Sequence, residues 1–482
     1  MEETKWVVQI NEELKGNGPS INDEKEQWKK PSIYKIPQSV TELNKKAYEP
    51  QAVSFGPYHK GKPHLNAMEE HKHRALIHFL KRSNKSIELV FQRMEQVVQE
   101  LKDSYKPLDD PIWDQDKNNM LFLQLMIVDG CFMLEILKAN DGVASDYAEN
   151  DPVFSEHGKL YVMPYIKRDM LILENQLPML VLHTLIDIET DGQPQDDELL
   201  NKQILRFLSP TTTIRGKMGK CMHALDVFRK GLVMQGPTHP TRIVKSTTHR
   251  NWCYRWFTAD SEYSTTDEII RSATELHEAG IWFRKSCSHS LQDVSFDRGV
   301  LRLPTMVVDD TTEPMFLNLM AFERLHVGAG NEVTSYVFFI DTIIDDEIDV
   351  ALLHRRGILV NALGCHKDVA KLFNSLSKDI TVDRQGVLDV VQMSLSNYCK
   401  KPWNKWRANL IHTYFRNPWA MISLVAAILL FALTIVQTVY AILDFYQSNN
   451  GDGSAPATKP PKLPRLSSYD PSYYFTPYPY GP

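Results

Sequence analysis

The sequence predicts a mainly α body with a small β-hairpin element, followed by one C-terminal transmembrane helix. Three observations carry that prediction. Helix-spaced apolar stripes recur through residues 31–400, one short alternating pair of apolar runs interrupts them near residue 300, and an uncharged apolar stretch ends at Leu443. The 482 residues are 43% hydrophobic, with 54 Lys+Arg against 60 Asp+Glu. That composition excludes a fibrous, collagen-like or wholly disordered chain. A formal charge of −6 and the lack of a basic run argue against a nucleic-acid partner, because duplex binders carry a basic footprint that displaces counterions.

Residues 1–30 are charged and weakly patterned, and read as a flexible N-terminal segment. They contain no apolar run of the kind a secretory signal needs. Residues 31–400 form the α-rich body. Within it, Ala67 to Lys81 places Met68, Ala75, Leu76, Phe79 and Leu80 broadly on one side of a helix. Met120 to Leu137 is apolar all round and belongs in the core; Asp129, Gly130 and Glu135 argue against a membrane span there. Lys167 to Ile188 reads as helix with a break or kink at Pro178. A helix over Thr265 to Lys285 opens with a capping-box spacing, Thr265-x-x-Glu268, and places Ile269, Ala273, Leu276 and Gly280 on one face. Val294 to Phe296 and Val300 to Leu303, joined by Asp297-Arg298-Gly299, predict a hairpin. Helices resume over Glu313–Leu325, Val333–Ile344 and Asp389–Tyr398, with Pro402 as an interruption. Cys131, Cys221, Cys253, Cys287, Cys365 and Cys399 form no CxxC pair, and are expected as buried, reduced thiols.

Residues 401–418 form a basic juxtamembrane segment. Trp419 to Leu443 reads WAMISLVAAILLFALTIVQTVYAIL, which can cross a bilayer core with some tilt. Trp419 and Tyr440 lie where interfacial aromatics belong. Lys400, Lys401, Lys405, Arg407 and Arg416 precede the stretch without an acid among them, and Asp444 and Asp452 follow it. The positive-inside bias therefore places the body in the cytosol, on a plasma membrane or endomembrane, and leaves the Asn84-Lys85-Ser86 sequon unglycosylated. The same five cations either set topology alone or also touch anionic headgroups. Residues 444–482 are a Pro/Tyr-rich tail of extended character.

SFGPYHKGKPHL (54–65), AMEEHKHRAL (67–76), VDGCFMLEIL (128–137) and RDMLILENQLPMLVL (168–182) form an ordered series. ATELHEAGIWFRK (273–285), FDRGVLRLPTMVVDDTTEPMFLNLMAFERL (296–325) and SYVFFIDTIIDDEIDVALLHRRGIL (335–359) continue it. In this series the chain resembles the plant family called domain of unknown function 247, over about residues 31–445. The resemblance implies a single membrane helix near the end. It also implies a recognition role, since members of that family are associated with pollen self-incompatibility, stress or defence. It implies no catalytic residue.

Candidate chemistry is sparse. Asp345-Asp346-Glu347-Ile348-Asp349 has the DDxxD form with which helical prenyl-diphosphate enzymes hold magnesium, so Asp345, Asp346 and Asp349 are metal candidates. The resemblance implies an Asn and a small polar residue near the first two, a pattern from which this chain departs. A helix start rich in acids explains the same residues without a metal. His59, His64, His71, His73 and His78 crowd together, but show no HExxH or zinc spacing. His277 and Glu278 are the candidate acid/base pair, set against a hydrogen-bonded, partly buried histidine. Asp309-Asp310 before Thr311-Thr312 reads as a capped loop. No cofactor is called for. The reading is a membrane-anchored interaction protein whose partners are the lipid bilayer and other proteins. The alternative is a membrane-tethered enzyme acting on an apolar metabolite with magnesium at Asp345, Asp346 and Asp349.

Overall fold

The computed structural model describes residues 31–42, 44–106, 108, 113, 119–142, 146–193, 196–212, 216–234, 238, 271–378, 387–410 and 418–449. The N-terminal segment 1–30, Cys253, the Thr265-x-x-Glu268 spacing, Arg416 and the tail from residue 450 lie outside the described residues. Two compact units divide the chain, Met1–Asn409 and Leu410–Pro482.

The first unit begins with β1 (Ile33–Tyr34) and α1 (Gln38–Thr41), then α2 (Ala67–Ser83), α3 (Ile87–Glu95) and α4 (Val98–Asp103). β2 (Tyr105–Lys106) pairs in parallel with β1. α5 (Met120–Asn140) follows, apolar on every side, so only the interior can accommodate it. It is long and apolar enough to cross a membrane, yet it is mostly buried and is the core helix. Gly130 makes one of its contacts possible. A Cβ there would lie 2.6 Å from Val181 Cγ1 and 2.7 Å from Leu185 Cδ1 on the neighbouring helix.

α6 (Glu156–Tyr161) and α7 (Met163–Asp169) precede α8 (Met179–Glu189), and Pro178 caps the start of α8. The expected helix over 167–188 is therefore two helices joined by an irregular crossing at 170–178. α9 (Asp197–Leu208) and α10 (Ala224–Val233) complete this half, and α2, α3, α8 and α9 all pack on α5.

The expected long helix over 265–285 is corrected. α11 spans only Ala273–Glu278, capped by the Ser272 side chain. It ends in a left-handed Gly280 (φ +96°), with Ile281 N donating to Leu276 O and Gly280 N to His277 O. That is a glycine-terminated C-cap, which no continuing helix can follow. β3 (Trp282–Lys285) comes next, with Phe283 buried between exposed Trp282 and Arg284, as neighbouring strand side chains point to opposite faces. β4 (Ser295–Asp297) and β5 (Val300–Leu303) form the expected antiparallel hairpin, and β3 adds to β5 in parallel.

β6 (Met306–Val308) precedes α12 (Thr312–Leu325), whose start is held by Asp309 Oδ1 accepting from Thr311 N at 2.9 Å. α13 (Glu332–Ile343) and α14 (Glu347–Arg355) follow, and then β7 (Leu359–Asn361), which pairs in parallel with β6. α15 (His366–Leu376), α16 (Val387–Cys399) and α17 (Pro402–Leu410) complete the unit, with Pro402 opening the last of these. The second unit contains α18 (Pro418–Asn449), which extends past Leu443. Its Met421–Tyr446 window is long and apolar enough to cross a membrane, and none of it is buried within the chain.

Burial of every cysteine is not what the fold shows. Cys131, Cys221 and Cys399 are buried, whereas Cys287 and Cys365 are exposed.

His223 ties the N-terminal strand to this framework. Its Nδ1 accepts from Asp226 N at 3.2 Å at the start of α10, and its Nε2 lies 3.0 Å from Ser32 O. Those two partners require the neutral ring with its proton on Nε2. Burial pushes its pKa down to about 4, against the pull of Asp226. The unfolded chain, with a histidine pKa near ~6.5, takes up the proton first, so stability is lost as pH falls through that window. Relative to His223→Gln, the wild type should lose about 2 kcal/mol between pH 7 and pH 5. Urea unfolding of both proteins at the two pH values checks this, and a pH-independent difference contradicts it.

Candidate functional site

Among the described residues of the first unit, a dense polar constellation surrounds the irregular segment 51–56, whose amides have no strand neighbour. Asp169, at the end of α7, accepts from Gln51 N (2.9 Å), Ala52 N (2.6 Å) and Val53 N (3.0 Å). Asn175 Oδ1 accepts from Phe55 N at 2.7 Å, while its Nδ2 donates to Val53 O and Asp169 O, both at 3.0 Å. Asp129 on α5 accepts from Gly56 N at 2.9 Å. Lys72 on α2 donates to Ser54 O at 2.5 Å and to Asp129 Oδ1 at 2.7 Å, with both charged side chains fully buried. Glu69 Oε1 lies 2.8 Å from the same ammonium and also pairs with Lys60.

Burial raises the Asp129 carboxyl, and Lys72 and the Gly56 amide oppose that rise. Burial raises Asp169 too, opposed by the amides of Ala52, Gln51 and Val53. A second charge pair crosses the same helices, because Arg82 on α2 grips the buried Glu135 of α5 through two bonds of 2.7 and 2.8 Å. The two acids inside the apolar core helix are therefore each matched by a cation one helix away.

The clasp continues outward. Gln176 Nε2 donates to Met170 O and Ile172 O at 2.7 Å, and its Oε1 accepts from Leu225 N at 3.0 Å. Asn318 on α12 accepts from Leu173 N and donates to Ala47 O, both at 2.9 Å. His59 is the exception. It is buried, neither ring nitrogen has a hydrogen-bond partner, and the Glu174 carboxylate lies 3.6 Å from Nε2. Burial first, and then Lys62, His64 and Lys35, hold its pKa down at about 3. Glu174, raised by burial, accepts instead from Ile36 N at 2.7 Å. Chemically, this constellation fixes a backbone path. Its carboxylates and amides already face amide and ammonium donors.

The sequence-selected residues lie elsewhere. His277 is partly buried at the end of α11, with Nδ1 3.1 Å from Ile281 O and its ring edge-on to Trp282. Glu278 ends the same helix. Asp345 and Asp346 are exposed, and Asp346 forms a capping box with Asp349 at the start of α14. Asp349 is buried: its Oδ1 accepts from Thr274 N at 2.7 Å, and its Oδ2 from Asp345 N at 3.1 Å and Asp346 N at 3.3 Å. Asp349 thus ties the start of α11 to the start of α14, which Asp346 caps.

The histidines near α2 are dispersed. His64 meets Pro50 O, His71 meets Arg74, and His78 meets Asp146. Among the described residues, no three His, Cys, Asp or Glu side chains are grouped to hold a metal ion. Lys400 and Lys401 are exposed at the end of α16, Lys405 and Arg407 lie on α17, and Trp419 and Tyr440 are exposed on α18.

Lys72, Asp129, Asp169, Asn175 and Asn318 were not singled out from the sequence as site residues. For Asp129 and Asn175 the available signal was a charged or amide residue inside an apolar run, as at VDGC and ENQLP. Those runs belong to the same segments that carry the family resemblance. Replacing Lys72 with Met should destabilise the head by about 3–5 kcal/mol, because the Asp129 carboxylate is left buried and uncompensated. Adding Asp129→Asn, which still accepts from Gly56, should recover most of that loss. Denaturation of the full chain measures both, and strictly additive losses would contradict the coupling.

The sequence profile of DUF247, plant protein of unknown function, matches residues 33–433. The UPF0481 protein At3g47200 of Arabidopsis thaliana is 29% identical over 444 residues, covering 89% of this chain and 90% of its own. The putative UPF0481 protein At3g02645 of the same plant is 22% identical over 515 residues, covering 90% and 94%. No solved structure matches the chain. With a profile that spans most of its length, the chain belongs to the DUF247 family of plant proteins of unknown function.

Proposed function

We propose that this chain is a membrane-anchored interaction protein, held by a single crossing of α18 and presenting its α-rich head to protein partners in the cytosol. The observation that carries the reading is the Met421–Tyr446 window, long and apolar enough to cross a membrane and unburied within its own chain. Such a surface in water would be an extended hydrophobic patch, which soluble monomers avoid. The cations before it and the acids after it favour a cytosolic head. The head's buried acids, in turn, are engaged in holding its backbone, which favours a binding scaffold over a reaction centre. A recognition role of the kind associated with the family fits a head whose core charges are committed to holding its own backbone.

The enzyme alternative has less support, because both oxygens of Asp349 already accept backbone amides. Alkaline carbonate should leave the full chain in the membrane pellet, and protease added to sealed microsomes should digest the head and spare the tail. Release by carbonate, or a glycan on Asn84, overturns the anchor and its orientation. Proximity labelling from the head should enrich a recurrent protein set that α18 alone does not. Identical labelling from the two removes the interaction reading.

A further inference from the structure

α17 carries an aromatic pair whose exposure the head's packing does not explain. Trp403 and Trp406, three residues apart and hence on one helix face, are 72% and 56% exposed, with ring centroids 5.4 Å apart. The helix that bears them is nevertheless fixed to the head. Asn404 Nδ2 donates to Tyr398 O at 2.8 Å, closing the corner between α16 and α17. Tyr398 packs edge-on against Phe296, and its hydroxyl lies 2.7 Å from where a Cβ on Gly299 would be. Arg407 covers the left-handed Gly280, where a Cβ would come 2.8 Å from Nη1. The small sheet and its preceding turn therefore seat α17 with two indoles facing outward.

Charge and position indicate what covers them. Lys400, Lys401, Lys405 and Arg407 flank the pair in sequence, no acid occurs from 400 to 416, and only residues 411–417 separate α17 from α18 in sequence. Indoles beside cations next to a membrane-length apolar helix match the chemistry of a bilayer interface, where rings sit at headgroup depth and cations meet phosphates. We propose that α17 is a lipid-interface element: Trp403 and Trp406 enter the headgroup–acyl boundary of an anionic leaflet, and Lys400, Lys401 and Lys405 bind its phosphates. The head is thereby held in one orientation rather than swinging on its tether. This rests on the reading that α18 spans the membrane.

The test uses the full chain reconstituted in phosphatidylcholine vesicles, with or without phosphatidylserine. Trp403→Phe/Trp406→Phe serves as the reference, so the difference in emission isolates the pair from the other tryptophans. Acyl-brominated lipid should quench that difference severalfold more than aqueous acrylamide does, and more strongly with phosphatidylserine present. Quenching by acrylamide alone overturns the proposal. Shielding from both quenchers also overturns it, because it places the pair against protein. Flotation of the same vesicles after alkaline carbonate separates the two levels. A chain that fails to float removes the anchor and this inference together, whereas one that floats with a water-accessible pair removes the inference alone.

Discussion

The head depends on one constraint: the segment 51–56 enters the core, buried from Val53 onward, without a strand beside it, and side chains satisfy five of its amides. An unmet buried amide costs about 1–3 kcal/mol, so a segment with several cannot stay inside a fold unaided. Asp169 takes three of these amides, and Asn175 and Asp129 take one each. Ionised carboxylates are expensive to bury, so Asp129 in turn needs the Lys72 ammonium, and that requirement locks α2 against α5. Asn175 and Gln176 shape the crossing between α7 and α8 in the same way, and Asn318 draws α12 onto it. A buried ion pair of this kind specifies geometry more than it adds stability.

Much of the helix content was legible because it follows from length and apolar period. Met120–Leu137 could only be a core helix, the segments near 313–325 and 333–344 carried clear helical spacing, and the hairpin at 295–303 announced itself by its Asp-Arg-Gly turn. Other parts were not legible. The stripe through Ala273, Leu276 and Gly280 has helical spacing, yet Gly280 takes a left-handed backbone and the aromatics beyond it alternate as a strand. The pairings of β1 with β2 and β6 with β7 join two or three residues each across long separations, too few for any period to register.

The candidate site shows the same division. The acidic run at 345–349 stood out as a metal motif, but Asp346 and Asp349 form a capping box, and its members bind their own helix start and that of α11. Lys72 was hidden in AMEEHKHRAL, a stretch so polar that it reads as a solvated face. Only the tertiary position of Asp129 identifies Lys72 as the buried member. Several of the segments that carry the family likeness thus encode the scaffold.

The account stands on the claim that the 51–56 path is a rigid part of the core rather than a surface loop. Hydrogen exchange at Gln51, Ala52, Val53, Phe55 and Gly56 tests it most directly. These amides should exchange as slowly as those in the middle of α5, opening only when the head unfolds globally. Exchange at the rate of an open loop, while α5 stays protected, would contradict it.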